Sequence, residues 1–320
     1  MKPDLLLVGN ATPRMLEAMT GAFTLHRLKE IGDLEAFLTE KGEAIVAVAT
    51  NGHDGLKPEI MARLPNLKII SCFGVGYDAI DANAAAARGV MVTHTPDVLN
   101  ADVANTAIML MLAVSRRVVV DDAYVRAGRW PKEGAAPLRQ SIEGKRVGIL
   151  GLGRIGETIA RKLAAFDCEI VYHTRNRKPD TPYRYYGNLV DMAKDVDFLV
   201  VITPGGAATR HLVNRAVIDA LGPEGTLVNV GRGSVVDEAE LVAALKDGRL
   251  GAAGLDVFED EPRVPEALFA MENVVLLPHV GSATVETRRA MGDLTVENLL
   301  RFFADGKAVT PVPECKGLQA

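Results

Sequence analysis

The stretch Val147-Gly-Ile-Leu-Gly-Leu-Gly-Arg-Ile-Gly156 limits what this chain can become more than any other. An apolar run stops at glycines spaced G-x-G-x-x-G and passes directly into the helical pattern of Glu157–Phe166. This reads as a strand, a tight turn and a helix. Gly151 permits the sharp turn, Gly153 lets the backbone approach a pyrophosphate, and Gly156 lets the helix lie close on the strand. The helix N-terminus then offers unpaired N–H groups to an anion. The glycine spacing alone is weak evidence, since a Gly-rich turn that only packs has the same letters. The strand before it and the helix after it make a dinucleotide site the better reading.

Around this unit, short β-forming runs alternate with helical patterns. The first part runs Leu5–Val8, Met15–Ala22, Ala44–Ala49, Glu59–Leu64, Leu67–Cys72, Ala82–Arg88 and Val90–Thr93. Its apolar runs lack a polar residue at every second position, as expected of parallel strands buried on both faces. Asn100–Val120 reads as one long apolar helix joining two bodies. Asp121–Ser141, with the only tryptophan, Trp130, reads as an extended arm that is either a surface loop or an oligomer contact. Six strands are then predicted at Val147–Leu150, Glu169–Tyr172, Phe198–Ile202, Thr226–Val230, Ala252–Val257 and Val274–Leu277, followed by a helix over Thr284–Phe303. The fold class is α/β, with a doubly wound parallel sheet. A length of 320 residues suits about two such domains.

Charge and cysteine usage narrow the function classes. The net charge is −5, from 36 basic and 41 acidic residues, with no basic block to track a phosphate backbone, so nucleic acid is not expected as a partner. Cys72, Cys168 and Cys315 stand far apart, which indicates neither a disulfide framework nor a metal site and suits a reducing cytoplasm. The N-terminal apolar run is too short for a signal peptide, and charges interrupt every other run before the roughly 18 residues a membrane span needs. No membrane partner is expected.

The second strand of a dinucleotide fold ordinarily ends in an acidic residue that holds the ribose hydroxyls. Here it ends His173-Thr174-Arg175-Asn176-Arg177, with no carboxylate. A carboxylate repels a 2′-phosphate, whereas Arg175 and Arg177 suit it, with planar bidentate geometry. NADP(H) is therefore the expected cofactor; the plainer alternative is that these basic residues decorate a solvated turn.

Three further strand ends carry reactive side chains. Asn229-Val-Gly-Arg232, Leu255-Asp-Val-Phe-Glu-Asp-Glu261-Pro262 and Leu277-Pro-His279 each follow an apolar run, at the sheet edge where open α/β folds place ligands. Each residue alone has a bland explanation: a solvated Arg, a Glu capping a turn, a His satisfying a core hydrogen bond. Together they suit reduction of a 2-keto acid. Arg232 holds the carboxylate and polarises the carbonyl, His279 supplies a proton, and Glu261 orients the ring and favours its protonated form.

With these residues in view, the chain resembles the D-2-hydroxyacid dehydrogenases nearly end to end. The motifs are Val75-Gly-Tyr-Asp78, Thr95-Pro-Asp97, Gly151-Leu-Gly-Arg-Ile-Gly156, Asn229-Val-Gly-Arg-Gly233, Leu255-Asp-Val-Phe-Glu-Asp-Glu-Pro262 and Pro278-His-Val-Gly-Ser-Ala-Thr284. Gly187-Asn-Leu-Val190, Val264-Pro-Glu-Ala-Leu-Phe269 and Val285-Glu-Thr-Arg-Arg289 are similar to the NADPH-dependent glyoxylate/hydroxypyruvate reductases, including plant hydroxyphenylpyruvate reductases.

The resemblance implies a Rossmann domain over residues 99–285, inserted in a smaller flavodoxin-like substrate domain made of residues 1–98 and 286–320. It makes Arg232, Glu261 and His279 the catalytic set. Asn51, Gly52, Val75 and Gly76 join Arg232 and His279 in binding substrate. Asp256 holds the nicotinamide, Thr203 and Pro204 line the adenine side, and Thr106 lies near the phosphates. Arg154, Ile155, Val230 and Gly281 complete the implied cofactor contacts beside Gly151, Gly153, Gly156 and Thr174–Arg177. A homodimer joined through the long helix and arm is also implied, with a small 2-keto or 2-hydroxy acid as substrate. Rival readings are a D-3-phosphoglycerate dehydrogenase, an arylpyruvate reductase, or a dinucleotide-sensing corepressor that keeps the fold but acts through partners.

Overall fold

The computed structural model describes residues 2–319 and divides into two units, one taking in the chain up to Leu99 and again from Ala283, the other Asn100–Ser282. The first unit begins β1 (Asp4–Leu7), α1 (Pro13–Ala22), β2 (Thr24–Arg27), α2 (Leu34–Lys41), β3 (Ile45–Asn51), α3 (Pro58–Ala62), β4 (Ile69–Phe73), α4 (Ala82–Ala87) and β5 (Met91–Thr93). Among the described residues its sheet has five parallel strands in the order β2-β1-β3-β4-β5, the flavodoxin-like arrangement. Leu5, Leu6, Ile45, Val48, Ile69 and Ile70 are fully buried, which is why these strands show no polar alternation. Thr12, Asp33 and Asp81 cap α1, α2 and α4 by accepting first-turn N–H groups. Two elements escape the apolar pattern. Strand β2 lies at the sheet edge with no fully buried residue, and α2 buries only Leu38.

The second unit runs α5 (Asn100–Ser115), α6 (Val118–Arg126), α7 (Trp130–Glu133), β6 (Arg146–Leu150), α8 (Arg154–Leu163), β7 (Glu169–His173), β8 (Arg184–Tyr185), α9 (Leu189–Lys194), β9 (Phe198–Val201), α10 (Arg215–Leu221), β10 (Thr226–Asn229), α11 (Glu238–Asp247), β11 (Ala252–Leu255) and β12 (Val274–Leu276). Its strands are parallel, in the order β12-β11-β10-β9-β6-β7-β8. The winding direction reverses between β6 and β9, the switch point at which doubly wound sheets bind ligands. The last helix, α12 (Val285–Asp305), belongs to the first unit and buries Val296 and Leu299 in its core.

Three sequence expectations need correction. The sheet has seven strands among the described residues, not six, because β8 is a two-residue edge strand paired to Val171 and Tyr172 and too short to leave an apolar run. The expected single helix Asn100–Val120 is two helices bent by 60°, because Arg117 adopts a left-handed φ of 50° that cannot continue a right-handed helix. The expected extended arm is partly helical. Its first residues complete α6 and it then forms the single turn of α7, braced by the i,i+4 ion pairs Asp122–Arg126 and Arg129–Glu133.

Among the described residues no single helix is long and apolar enough to cross a membrane; α5 and α6 meet that length and composition only as a bent pair.

Candidate active site

Parallel register lines up the strand ends of the second unit. His173, Leu150, Val201, Asn229, Leu255 and Leu276 form one row across β7, β6, β9, β10, β11 and β12. Gly151, Thr174, Thr203, Arg232, Asp256 and His279 each follow that row within three residues, so six strands deliver them to one edge.

The glycine turn has the geometry of a cradle. Gly151 has a φ of +106°, and a methyl group there would lie 2.9 Å from the Thr203 nitrogen. One on Gly156 would overlap the Gly151 carbonyl, so α8 can start only where this residue lacks a side chain. Gly153 differs: it caps α8, and a methyl group there would meet nothing within 4 Å. No side chain caps the first turn of α8, which leaves its N-terminus suited to a phosphate. Arg154 and Ile155 open this helix, and Gly231, behind Val230, packs against the Thr203 carbonyl. The Pro204 carbonyl accepts from the Thr209 hydroxyl at 2.8 Å.

At the end of β7, His173 donates from Nδ1 to the Tyr186 carbonyl (2.8 Å) and its ring lies parallel to Tyr185. The Thr174 hydroxyl donates to the Asn176 carbonyl at 2.7 Å, and the Tyr185 hydroxyl donates to the Thr174 carbonyl at 3.1 Å. Arg175, Asn176 and Arg177 are exposed on this braced turn, and neither guanidinium forms an ion pair among the described residues. An exposed, rigidly presented pair of this kind suits a 2′-phosphate.

The other strand ends are knitted together. Asn229 donates from Nδ2 to the Arg232 carbonyl (3.0 Å) and accepts from the Gly231 N–H (3.1 Å), which fixes the turn carrying Arg232. Gly233 lies so close to the Phe258 carbonyl that any side chain there would overlap it, so this turn lies directly against the loop that carries Glu261. Glu261 accepts the Phe258 N–H through Oε1 at 3.1 Å, and its Oε2 lies 2.7 Å from His279 Nδ1. With a carboxylate as acceptor, Nδ1 carries the hydrogen and Nε2 is the imidazole nitrogen not engaged by Glu261. His279 is the more exposed partner, at 43% against 19%.

Asp256 holds the His279 turn. It is 1% exposed, and its two oxygens accept the Val280 and Gly281 N–H groups at 2.7 and 2.8 Å, while its carbonyl accepts the His279 N–H at 2.9 Å. Burial raises its carboxyl above the usual range, and these two amides pull the other way. The turn needs such fastening because His279 sits at a left-handed φ of 53°. Thr106 reaches the same turn, donating to the Gly281 carbonyl at 3.4 Å.

The expected substrate contacts of the first unit also stand at strand ends. Asn51 and Phe73 are register partners closing β3 and β4, and a methyl group on Gly74 would lie 3.6 Å from the Gly52 nitrogen. Asn51 Oδ1 accepts the His53 and Asp54 N–H groups, both at 2.8 Å, and the Val75 carbonyl meets His94 Nδ1 at 2.9 Å. Among the described residues no hydrogen bond uses the N–H of Val75 or Gly76, as an anion-binding loop requires. Sequence reasoning missed Tyr185 and the structural work of Asn229, since neither residue type has distinctive spacing.

Against known proteins, the model of the D-isomer specific 2-hydroxyacid dehydrogenase NAD binding domain matches residues 108–281. The chain belongs to this family. This 2-hydroxyacid dehydrogenase is 55% identical over 276 residues to the hydroxyphenylpyruvate reductase of Plectranthus scutellarioides, covering 86% of this chain and 88% of that one. It is 51% identical over 290 residues to a glyoxylate/hydroxypyruvate reductase A of Arabidopsis thaliana, covering 91% and 92%. Among solved structures, the NADPH-dependent glyoxylate/hydroxypyruvate reductase of Sinorhizobium meliloti, crystallised with NADP and malonate, superposes with a TM-score of 0.93 at 49% identity, covering 98% of each chain.

Proposed function

We propose that this 2-hydroxyacid dehydrogenase reduces small 2-keto acids, glyoxylate and hydroxypyruvate, to D-2-hydroxy acids at the expense of NADPH. The observation that carries this reading is the Glu261–His279 pair, 2.7 Å apart on the sheet edge that also presents the glycine turn. The cradle fits a dinucleotide: Gly151, Gly153, Arg154, Ile155 and Gly156 would take the pyrophosphate, with Thr106, Thr203, Pro204, Val230, Asp256 and Gly281 completing the contacts. When bound, the reduced nicotinamide supplies the hydride that adds to the 2-keto carbon.

The protein's own residues do the rest. Arg232 pairs with the substrate carboxylate and draws electron density from the carbonyl. Imidazolium His279 gives the proton on Nε2 to the carbonyl oxygen, while Glu261 keeps its bond to Nδ1–H and so fixes the ring. The product is the hydroxy acid, with neutral His279 left to be reprotonated by solvent. In the first unit, the substrate domain of this reading, Asn51, Gly52, Val75 and Gly76 bind the carboxylate through side-chain and backbone N–H groups.

Thr174, Arg175, Asn176 and Arg177 select NADPH by taking its 2′-phosphate. The exposure of Arg175, Asn176 and Arg177, with neither guanidinium in an ion pair among the described residues, supports this, as does the NADP-bound relative. Equal concentrations of NADPH and NADH should give initial rates with glyoxylate that differ at least about tenfold in favour of NADPH, the scale of one charge-assisted hydrogen bond. A preference for NADH would overturn the cofactor assignment. The 55% identity to a hydroxyphenylpyruvate reductase puts arylpyruvates in the same substrate panel.

The enzyme of this reading is a homodimer of the cytoplasm. Supporting the first, α5 and α6 expose Met109 (49%), Val118, Val119 and Val125 beside an open apolar groove of about 480 Å³ lined by Ile108, Met109, Leu112 and Phe166. Supporting the second, the three cysteines are free thiols.

A further inference from the structure

We propose that His211 is a positioning residue that ties three loops of the second unit together and so holds Glu261 against His279; the inference rests on the reading of that pair as the proton-delivering group. His211 closes the loop that leaves β9 through Thr203 and Pro204, and it sits at a left-handed φ of 49°. Its N–H donates to the Ser234 carbonyl at 2.9 Å, two residues beyond Arg232. Its Nε2 donates to Glu259 Oε1 at 3.0 Å, two residues before Glu261. One residue thus reaches the cofactor loop, the arginine turn and the glutamate loop.

The glutamate loop needs such a tether. Glu259, Asp260 and Glu261 place three carboxylates in succession, and Glu238 at the start of α11 adds a fourth by accepting the Glu259 N–H at 3.1 Å. Burial above all, and then the repulsion of these neighbours, raises the Glu238 carboxyl above its usual range against the pull of the Glu259 N–H. Arg210 donates to the same Glu259 oxygen at 2.6 Å, so two adjacent donors fasten one carboxylate. Asp237 Oδ2 lies 3.9 Å from His211 Nδ1. Only Asp260 separates Glu259 from Glu261, and Phe258 N–H already fixes Glu261 Oε1, so a shift of Glu259 is passed directly to the carboxylate that orients His279.

The test separates the ring's hydrogen bond from its backbone. Asn tolerates the left-handed conformation but is too short to reach Glu259, and Gln carries an amide donor at about the reach of Nε2. Single-turnover hydride transfer from NADPH to glyoxylate, NADPH affinity and Tm are measured for the wild type, His211→Asn, His211→Gln and His279→Ala. The expected result is hydride transfer about tenfold slower in His211→Asn, restored to within about threefold of wild type in His211→Gln, as slight misplacement of a reacting group predicts. NADPH affinity and Tm stay near wild type in both.

Wild-type hydride transfer in His211→Asn overturns the proposal. So does an equal slowing in both variants that follows a shared loss of Tm. Failure of the underlying reading looks different: the wild type leaves NADPH unoxidised, or His279→Ala is as fast as wild type. A slow His279→Ala beside a fast His211→Asn removes the tether alone.

Discussion

At Asp256, burial and hydrogen bonding act in opposite directions on one carboxylate. Burial raises its carboxyl above the usual range, while both of its oxygens accept backbone N–H groups of the turn that holds His279 in left-handed backbone, which pulls the other way. Asp256→Asn keeps the shape but points an amide NH2 at one of those N–H groups. The substitution should cost about 1–3 kcal/mol, the penalty of an unsatisfied buried donor, read as a lower denaturant midpoint together with slower turnover as the His279 turn relaxes. A wild-type midpoint would contradict this role. Residues of this kind are only half visible in a sequence. The apolar runs of β10, β11 and β12 show where strands stop, and hence that Arg232, Asp256 and His279 stand just beyond strand ends. They do not show that Asn229 bonds back to the Arg232 carbonyl, that Tyr185 braces the turn after β7, or that His211 meets Glu259, because those contacts exist only once separate loops have folded against one another.

At the scale of elements, the β6 turn and α8 separate glycines that serve packing from glycines that serve a ligand. A methyl group on Gly156 overlaps the Gly151 carbonyl, whereas one on Gly153 meets nothing. Gly156→Ala should therefore cost about 1–3 kcal/mol through overpacking. Gly153→Ala should leave the unfolding midpoint near wild type and weaken NADPH binding. Equal stability losses in the two variants would show that the cradle is not built as described. The elements that escaped the sequence reading share a physical cause. Both β2 and β8 are edge strands and α2 buries a single side chain, so none leaves an apolar period; the break between α5 and α6 depends on the backbone conformation of Arg117, to which hydrophobic pattern is blind.

At the scale of the whole molecule, two parallel sheets of different order are built from one chain that leaves the first unit at Leu99 and returns to it at Ala283. The apolar face of α5 and α6 gives the proposed homodimer its own test. Met109→Asp places a charge in the middle of that face, and light scattering should show a dimer for the wild type and a monomer for the variant; a monomeric wild type would remove the assembly proposal without touching the chemistry. The most direct test of the central claim is the rate at which NADPH is consumed with glyoxylate by wild type and by His279→Ala, each shown to bind NADPH. The wild type should turn over and the variant should lose at least about 10²-fold, the usual contribution of a general acid. Equal rates in the two proteins, or an inert wild type, would contradict it.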